Sequence, residues 1–159
     1  NYYLWSQISS DYLRLRAREV AILRTQSWAT AVRVLLDTHL LLWAALGDRR
    51  LPDEAQEFLE DPLSVPLFSV ASIWEVAIKF SKGRSDFQVP PVTLRRGLLR
   101  NGYAEVPIEG GAAEVVQSLP AIHGDPFDRM LVAQARVLGV SLWTCDAKVA
   151  EYGPGVRLI

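Results

Sequence analysis

Short apolar runs alternate along this chain with stretches of helical periodicity, and the alternation predicts strands separated by helices. Val32 to Leu36 is β-branched at one end and contains neither glycine nor proline, so it reads as a buried strand running into Asp37-Thr38. Leu40 to Leu46 resumes as an apolar, helix-compatible segment, and Gly47-Asp48-Arg49-Arg50 makes a turn. Pro52-Asp53-Glu54 puts proline at a first helical position and two acids where the helix dipole favours them, predicting a helix over 52–60. Val65 to Phe68 forms a second strand, where Pro66 suggests its beginning or a sheet edge. Ser69 or Ser72 caps a helix through Ile73, Trp74, Val76 and Phe80 that stops near Gly83.

The pattern continues after a loop at Asp86 to Pro91. Thr93 to Arg100 is helical and closes at Asn101-Gly102 in a left-handed cap. Glu105 to Pro107 is a brief strand, Ala112 to Leu119 a short helix, and Phe127 to Leu138 a strong helix closed by Gly139. Val140 to Thr144 and Val156 to Ile159 complete the strands, with a turn or helix over Ala147 to Tyr152 between them. Strands separated by helices imply a mostly parallel sheet covered on both faces, a three-layer α/β/α domain over 32–159. Residues 1–31 are set apart as a helical extension of open role, with Leu13, Ala17, Val20 and Ala21 at helical spacing.

Composition narrows the class. Half of the 159 residues are hydrophobic and 22% are charged, which excludes a disordered chain. The longest apolar run has seven residues, too few to span a bilayer, and no secretion signal is visible, so a cytoplasmic protein is expected. The single cysteine, Cys145, cannot form an internal disulfide and fits a reducing compartment. Asn1 is not a translation start, so an excerpted or processed chain is expected. The net charge of −1 gives no whole-protein sign of a polyanionic partner, although residues 1–30 carry four arginines against two acids.

Four acids fall where a parallel sheet places its ligands. Asp37 and Asp146 end strands, Asp128 opens the helix over 127–138, and Glu75 lies one turn into the helix after the second strand. Each also has an ordinary structural reading. Asp37 and Asp146 can cap the helices that follow, Asp125 or Asp128 can complement a helix N-terminus, and Glu75 stands at capping-box spacing from Ser72 and ion-pair spacing from Lys79. Together they would repel one another unless a cation neutralised them. Hard oxygen donors suit Mg²⁺ or Mn²⁺ and argue against zinc. Such a site can activate a water and stabilise both oxygens of an in-line phosphodiester displacement.

These residues carry a family resemblance. The segment 35–44, Leu-Leu-Asp-Thr-His-Leu-Leu-Leu-Trp-Ala, resembles the opening of a PIN domain, specifically of the VapC-type toxins of toxin–antitoxin modules. Ser69 to Lys79 resembles the second motif of that group, His123 to Gln134 the third, and Leu142 to Asp146 the fourth, in family order across 32–159. The resemblance implies a metal-dependent endoribonuclease that cuts RNA through a metal-activated water held by Asp37, Glu75, Asp128 and Asp146. It further implies a cognate antitoxin and a homodimer. Residues 1–31 have no counterpart in the family.

Supporting roles are assigned more loosely. Asp125 is a plausible helper, Thr38 and Thr144 can orient waters or satisfy the backbone, and Arg129 and Lys79 can meet phosphates or pair with the acids. His39 and His123 read as loop or cap residues, and Trp43 and Trp74 as core rather than base-stacking platforms. Two rivals remain at this level: a non-catalytic PIN-like module that binds RNA or protein, and a Mg²⁺ phosphotransfer enzyme with Asp37 as nucleophile. The absence of a second acid two residues after Asp37 speaks against the phosphatase form of the latter.

Overall fold

The computed structural model describes residues 31–159, so the helical extension expected over 1–31 lies outside the described residues but for its last. Five strands form one parallel sheet in the order β3-β2-β1-β4-β5. They are β1 (Val32–Leu36), β2 (Ser64–Ser69), β3 (Ala104–Val106), β4 (Ser141–Thr144) and β5 (Val156–Leu158). The helices are α1 (Thr38–Leu46), α2 (Asp53–Glu60), α3 (Val70–Ser81), α4 (Pro91–Arg100), α5 (Gly110–Ser118), α6 (Pro126–Leu138) and the short α7 (Ala147–Ala150).

Alternation along the strands builds two cores. Val34 and Leu36 of β1, Phe68 of β2 and Trp143 of β4 face one helical layer, where they meet Leu40, Leu41, Phe58, Val76, Leu94 and Leu98. Leu35, Leu67 and Leu142, one position out of phase, face the other and pack against Leu131, Val132, Ala135 and Val149. A sheet buried on both faces explains why β1 reads as a continuous apolar run. Gly139, at φ 63°, supplies the left-handed residue that ends α6, and Gly102, at φ 81°, does the same beyond α4.

Two local expectations are corrected. Pro66 neither begins β2 nor lies in an edge strand: it pairs in register with Val34, and β2 lies between β1 and β3. β3 pairs only with Leu67 to Ser69, so one flank of β2 is unpaired at Pro66, where a residue without an N–H is tolerated. Ser69, rather than Ser72, caps α3, its hydroxyl accepting the Ala71 N–H at 2.9 Å. The capping-box reading of Ser72 and Glu75 fails, because both are buried inside the helix.

The chain winds from β1 outward to β3 and then returns to the other side of β1 for β4. The crevice between the carboxyl ends of β1 and β4 is therefore a topological switch point, where ligands of open parallel sheets bind.

Candidate active site

Asp37 is the first residue past β1. Its backbone N–H donates to the Trp143 carbonyl at 3.0 Å, extending the β1–β4 ladder and fixing the side chain over the switch point. Oδ1 accepts the Leu40 N–H at 2.8 Å, capping α1. Oδ2 accepts the Thr144 hydroxyl at 2.7 Å and the Cys145 N–H at 3.0 Å. Thr144 in turn accepts the Asp146 N–H at 3.0 Å, so one hydroxyl joins two of the four acids. Neighbouring Thr38 donates from Oγ1 to Glu75 Oε2 at 2.5 Å and lies 3.0 Å from Ser72 Oγ. Lys79, one turn on from Glu75, is ion-paired with its other oxygen.

Across the crevice, α6 and α7 carry the other acids. Asp125 caps α6 by accepting the Phe127 N–H at 2.8 Å, and Asp146 caps α7 by accepting the Lys148 N–H at 2.8 Å. His123 stands between two carboxylates, with Nδ1 3.4 Å from Asp128 Oδ2 and Nε2 3.5 Å from Asp146 Oδ2. One donor atom from each of His123, Asp128 and Asp146 lies within 4.8 Å of the others. Burial pushes the Asp128 carboxyl up to about 7, and the charges of Asp125, Glu75, Asp37 and Asp146 act in the same direction. The charges of four further carboxylates thus reach Asp128, and among the described residues His123 and Asp146 bring donor atoms within 4.8 Å of it. Burial also pushes the Cys145 thiol up to about 12, helped by Asp37, so it is held as an inert thiol.

The PIN domain family matches residues 34–153, three-quarters of the chain and all four acids. The chain belongs to the PIN domain family. Members of that family are in general nucleases. Among curated proteins, none matches the sequence. The fold is similar to that in the VapBC2 complex of Rickettsia felis bound to a DNA fragment from its promoter, at 15% identity and a TM-score of 0.58. That match covers 80% of this chain and 98% of the other. A domain of a functionally unknown protein from Methanocaldococcus jannaschii is similar at 15% identity and a TM-score of 0.52, covering 81% and 91%. At such identities the likeness concerns the fold.

Within this PIN domain the residues singled out in the sequence fall into three groups. Asp37, Glu75, Asp128 and Asp146, with Asp125 beside them, lie at the carboxyl edge of the sheet; Thr38 holds the Glu75 side chain, and Thr144 links the Asp37 carboxylate to the Asp146 backbone. Lys79 is taken up by Glu75 and lies 4.6 Å from the Phe87 ring centre. Arg129 turns to the backbone instead of the crevice: Nη1 donates to the Pro120 carbonyl and Tyr152 Oη, and Nη2 to the carbonyls of Val116 and Leu119. His123 lies in the loop before α6, as the sequence predicts, where Nδ1 accepts the Asp125 N–H at 3.1 Å, and its ring also stands between Asp128 and Asp146. Its partners, five and 23 residues away, meet it only through the fold. Trp74, expected in the core, is 57% exposed.

The donor set fits a hard divalent cation. Oxygen donors dominate, Asp128 pairs with no lysine or arginine among the described residues, and a 2+ charge there would offset both the burial and the like charges that raise its carboxyl.

Proposed function

We propose that this PIN domain is a Mg²⁺- or Mn²⁺-dependent endoribonuclease, the VapC-type toxin of a toxin–antitoxin module. The observation that carries the reading is the grouping of His123, Asp128 and Asp146 donor atoms within 4.8 Å of one another at the switch point, with Asp37 fixed at the end of β1 near enough for its charge to act on Asp128. Asp37, Glu75, Asp128 and Asp146 would hold the ion. When bound, it supplies the Lewis acidity that lowers the pKa of a water and offsets charge on a phosphodiester. The side chains of this chain do the positioning. Thr144 and the Cys145 N–H fix Asp37, Thr38 fixes Glu75, and Lys79 balances the charge of Glu75.

The similarity to a toxin–antitoxin complex supports a cognate antitoxin that covers this edge, and we extend the proposal to a homodimer acting in the cytoplasm. Asp37→Asn is expected to abolish cleavage, by more than about a hundredfold, while the protein stays folded. Sequencing of RNA ends after expression of wild type beside Asp37→Asn tests this. Equal activity of the variant, or wild-type activity in excess chelator, refutes the mechanism, and RNA binding without turnover favours a non-catalytic module. Sedimentation of the protein alone and with the neighbouring gene product tests the assembly.

A further inference from the structure

Helix α3 turns Ala71, Ser72, Glu75 and Val76 inward and leaves Trp74 in solvent. The Trp74 indole meets the Phe127 ring edge to face, with centres 5.1 Å apart and planes at 81°. Trp74 directly precedes Glu75, and Phe127 directly precedes Asp128. Bonded neighbours are about 3.8 Å apart at Cα, so the contact joins α3 to α6 one residue away from an acid of the cluster on each helix. A tryptophan left mostly in water forgoes the stabilisation that burial gives so large a side chain. Core packing does not account for it.

We infer that Trp74, braced by Phe127, is a stacking platform for an unpaired nucleobase beside the scissile phosphodiester; the inference rests on the nuclease reading above. Every base presents a flat π-face, so such a platform holds single-stranded RNA with little demand on sequence. The edge-to-face contact with Phe127 fixes the orientation of the indole while much of it stays open to solvent. A nucleobase fits better than a protein surface, because each ring stands one residue before a carboxylate of the cluster where the phosphodiester would be cut. Phe80, the next exposed aromatic residue on α3, lies about 240° around the helix from Trp74.

Steady-state cleavage of single-stranded RNA by wild type, Trp74→Ala and Trp74→Phe tests the inference. Trp74→Ala is expected to raise KM about tenfold with kcat little changed, and Trp74→Phe to recover most of the loss. Melting temperature reports folding, which an exposed position should leave intact. A second measurement needs no turnover: fluorescence anisotropy in chelator with a labelled RNA hexamer and its abasic analogue. Wild type is expected to prefer the hexamer, and Trp74→Ala to lose that preference.

An unchanged KM in Trp74→Ala overturns the platform, as does equal binding of hexamer and abasic analogue by wild type. A Trp74→Ala protein that sediments at a different mass assigns this pair to a protein contact and also overturns it. Inactive wild type, or active Asp37→Asn, counts instead against the nuclease reading, and the hexamer preference then decides the platform by itself.

Discussion

The β1–α3 side of the crevice and the α6–α7 side hold their carboxylates in different ways. Asp37 and Glu75 are buried, and each has partners in place: the Leu40 and Cys145 N–H groups and Thr144 for Asp37, Thr38 and Lys79 for Glu75. The Asp128 and Asp146 side chains are 25% and 47% exposed, and they share one histidine. Asp37 accepts three hydrogen bonds and Glu75 a hydroxyl and an ammonium, whereas Asp146 accepts one backbone N–H beside the imidazole that it shares with Asp128. A carboxylate ringed by donors is already committed to a geometry, whereas one crowded by like charges has most to gain from a cation. The first side is the frame, and the second is the face that responds to a ligand.

The responsive side still needs a rigid support, and Arg129 supplies it. Its guanidinium ties α6 to the end of α5, to the loop at Pro120 and to Tyr152. Replacing it by methionine removes the donor to the Pro120 and Leu119 carbonyls and one of two donors to the Val116 carbonyl. Arg129→Met is expected to lose about 3 kcal/mol of stability in urea unfolding, the largest effect among the stability variants. A variant as stable as wild type but weak in RNA binding would return Arg129 to the phosphate-contacting role.

A smaller effect, with a sign set by pH, is expected at Asp128. With its carboxyl raised from 3.8 to about 7, the folded protein holds that proton more tightly than the unfolded chain does. The resulting stabilisation is complete below the unfolded value and is lost as pH rises through about 7. In chelator, Asp128→Asn is therefore expected to match wild type at pH 4 and to exceed it at pH 8 by about 2 kcal/mol, discounted for partial exposure. Urea unfolding at both pH values measures the difference. A divalent ion should raise the melting temperature of wild type more than that of the variant. A pH-independent difference would remove the distinction between the two sides.

These contrasts also mark what the sequence made legible. Helices and strands followed from local chemistry, because an apolar run such as 32–36 or a closing glycine such as Gly139 acts through its immediate neighbours. The four acids were visible because each stands at a strand end or in a first helical turn. Residues whose meaning depends on distant partners were read wrongly or not at all. Ser72 had the spacing of a cap, but its hydroxyl lies against Thr38, 34 residues earlier. Pro66 looked like an edge residue because the short reach of β3 is a property of the sheet, not of β2. Trp74 has the character of a core residue, and only the packing of α3 beside α6 leaves it in solvent against Phe127.

The finest distinction is at Thr144, whose buried hydroxyl spans the two sides by donating to Asp37 and accepting from the Asp146 N–H. Thr144→Val keeps the shape and removes both bonds. It is expected to cost about 1 kcal/mol of stability, because the Asp146 N–H loses its partner and Asp37 keeps its other two donors. Cleavage is expected to fall further than stability, by about tenfold, since Asp37 and Asp146 lose the atom that sets their spacing. Thr144→Ser should restore both. If Thr144→Val loses stability but cleaves as wild type does, the hydroxyl serves the fold alone, and the acids hold their spacing through the backbone of β1 and β4.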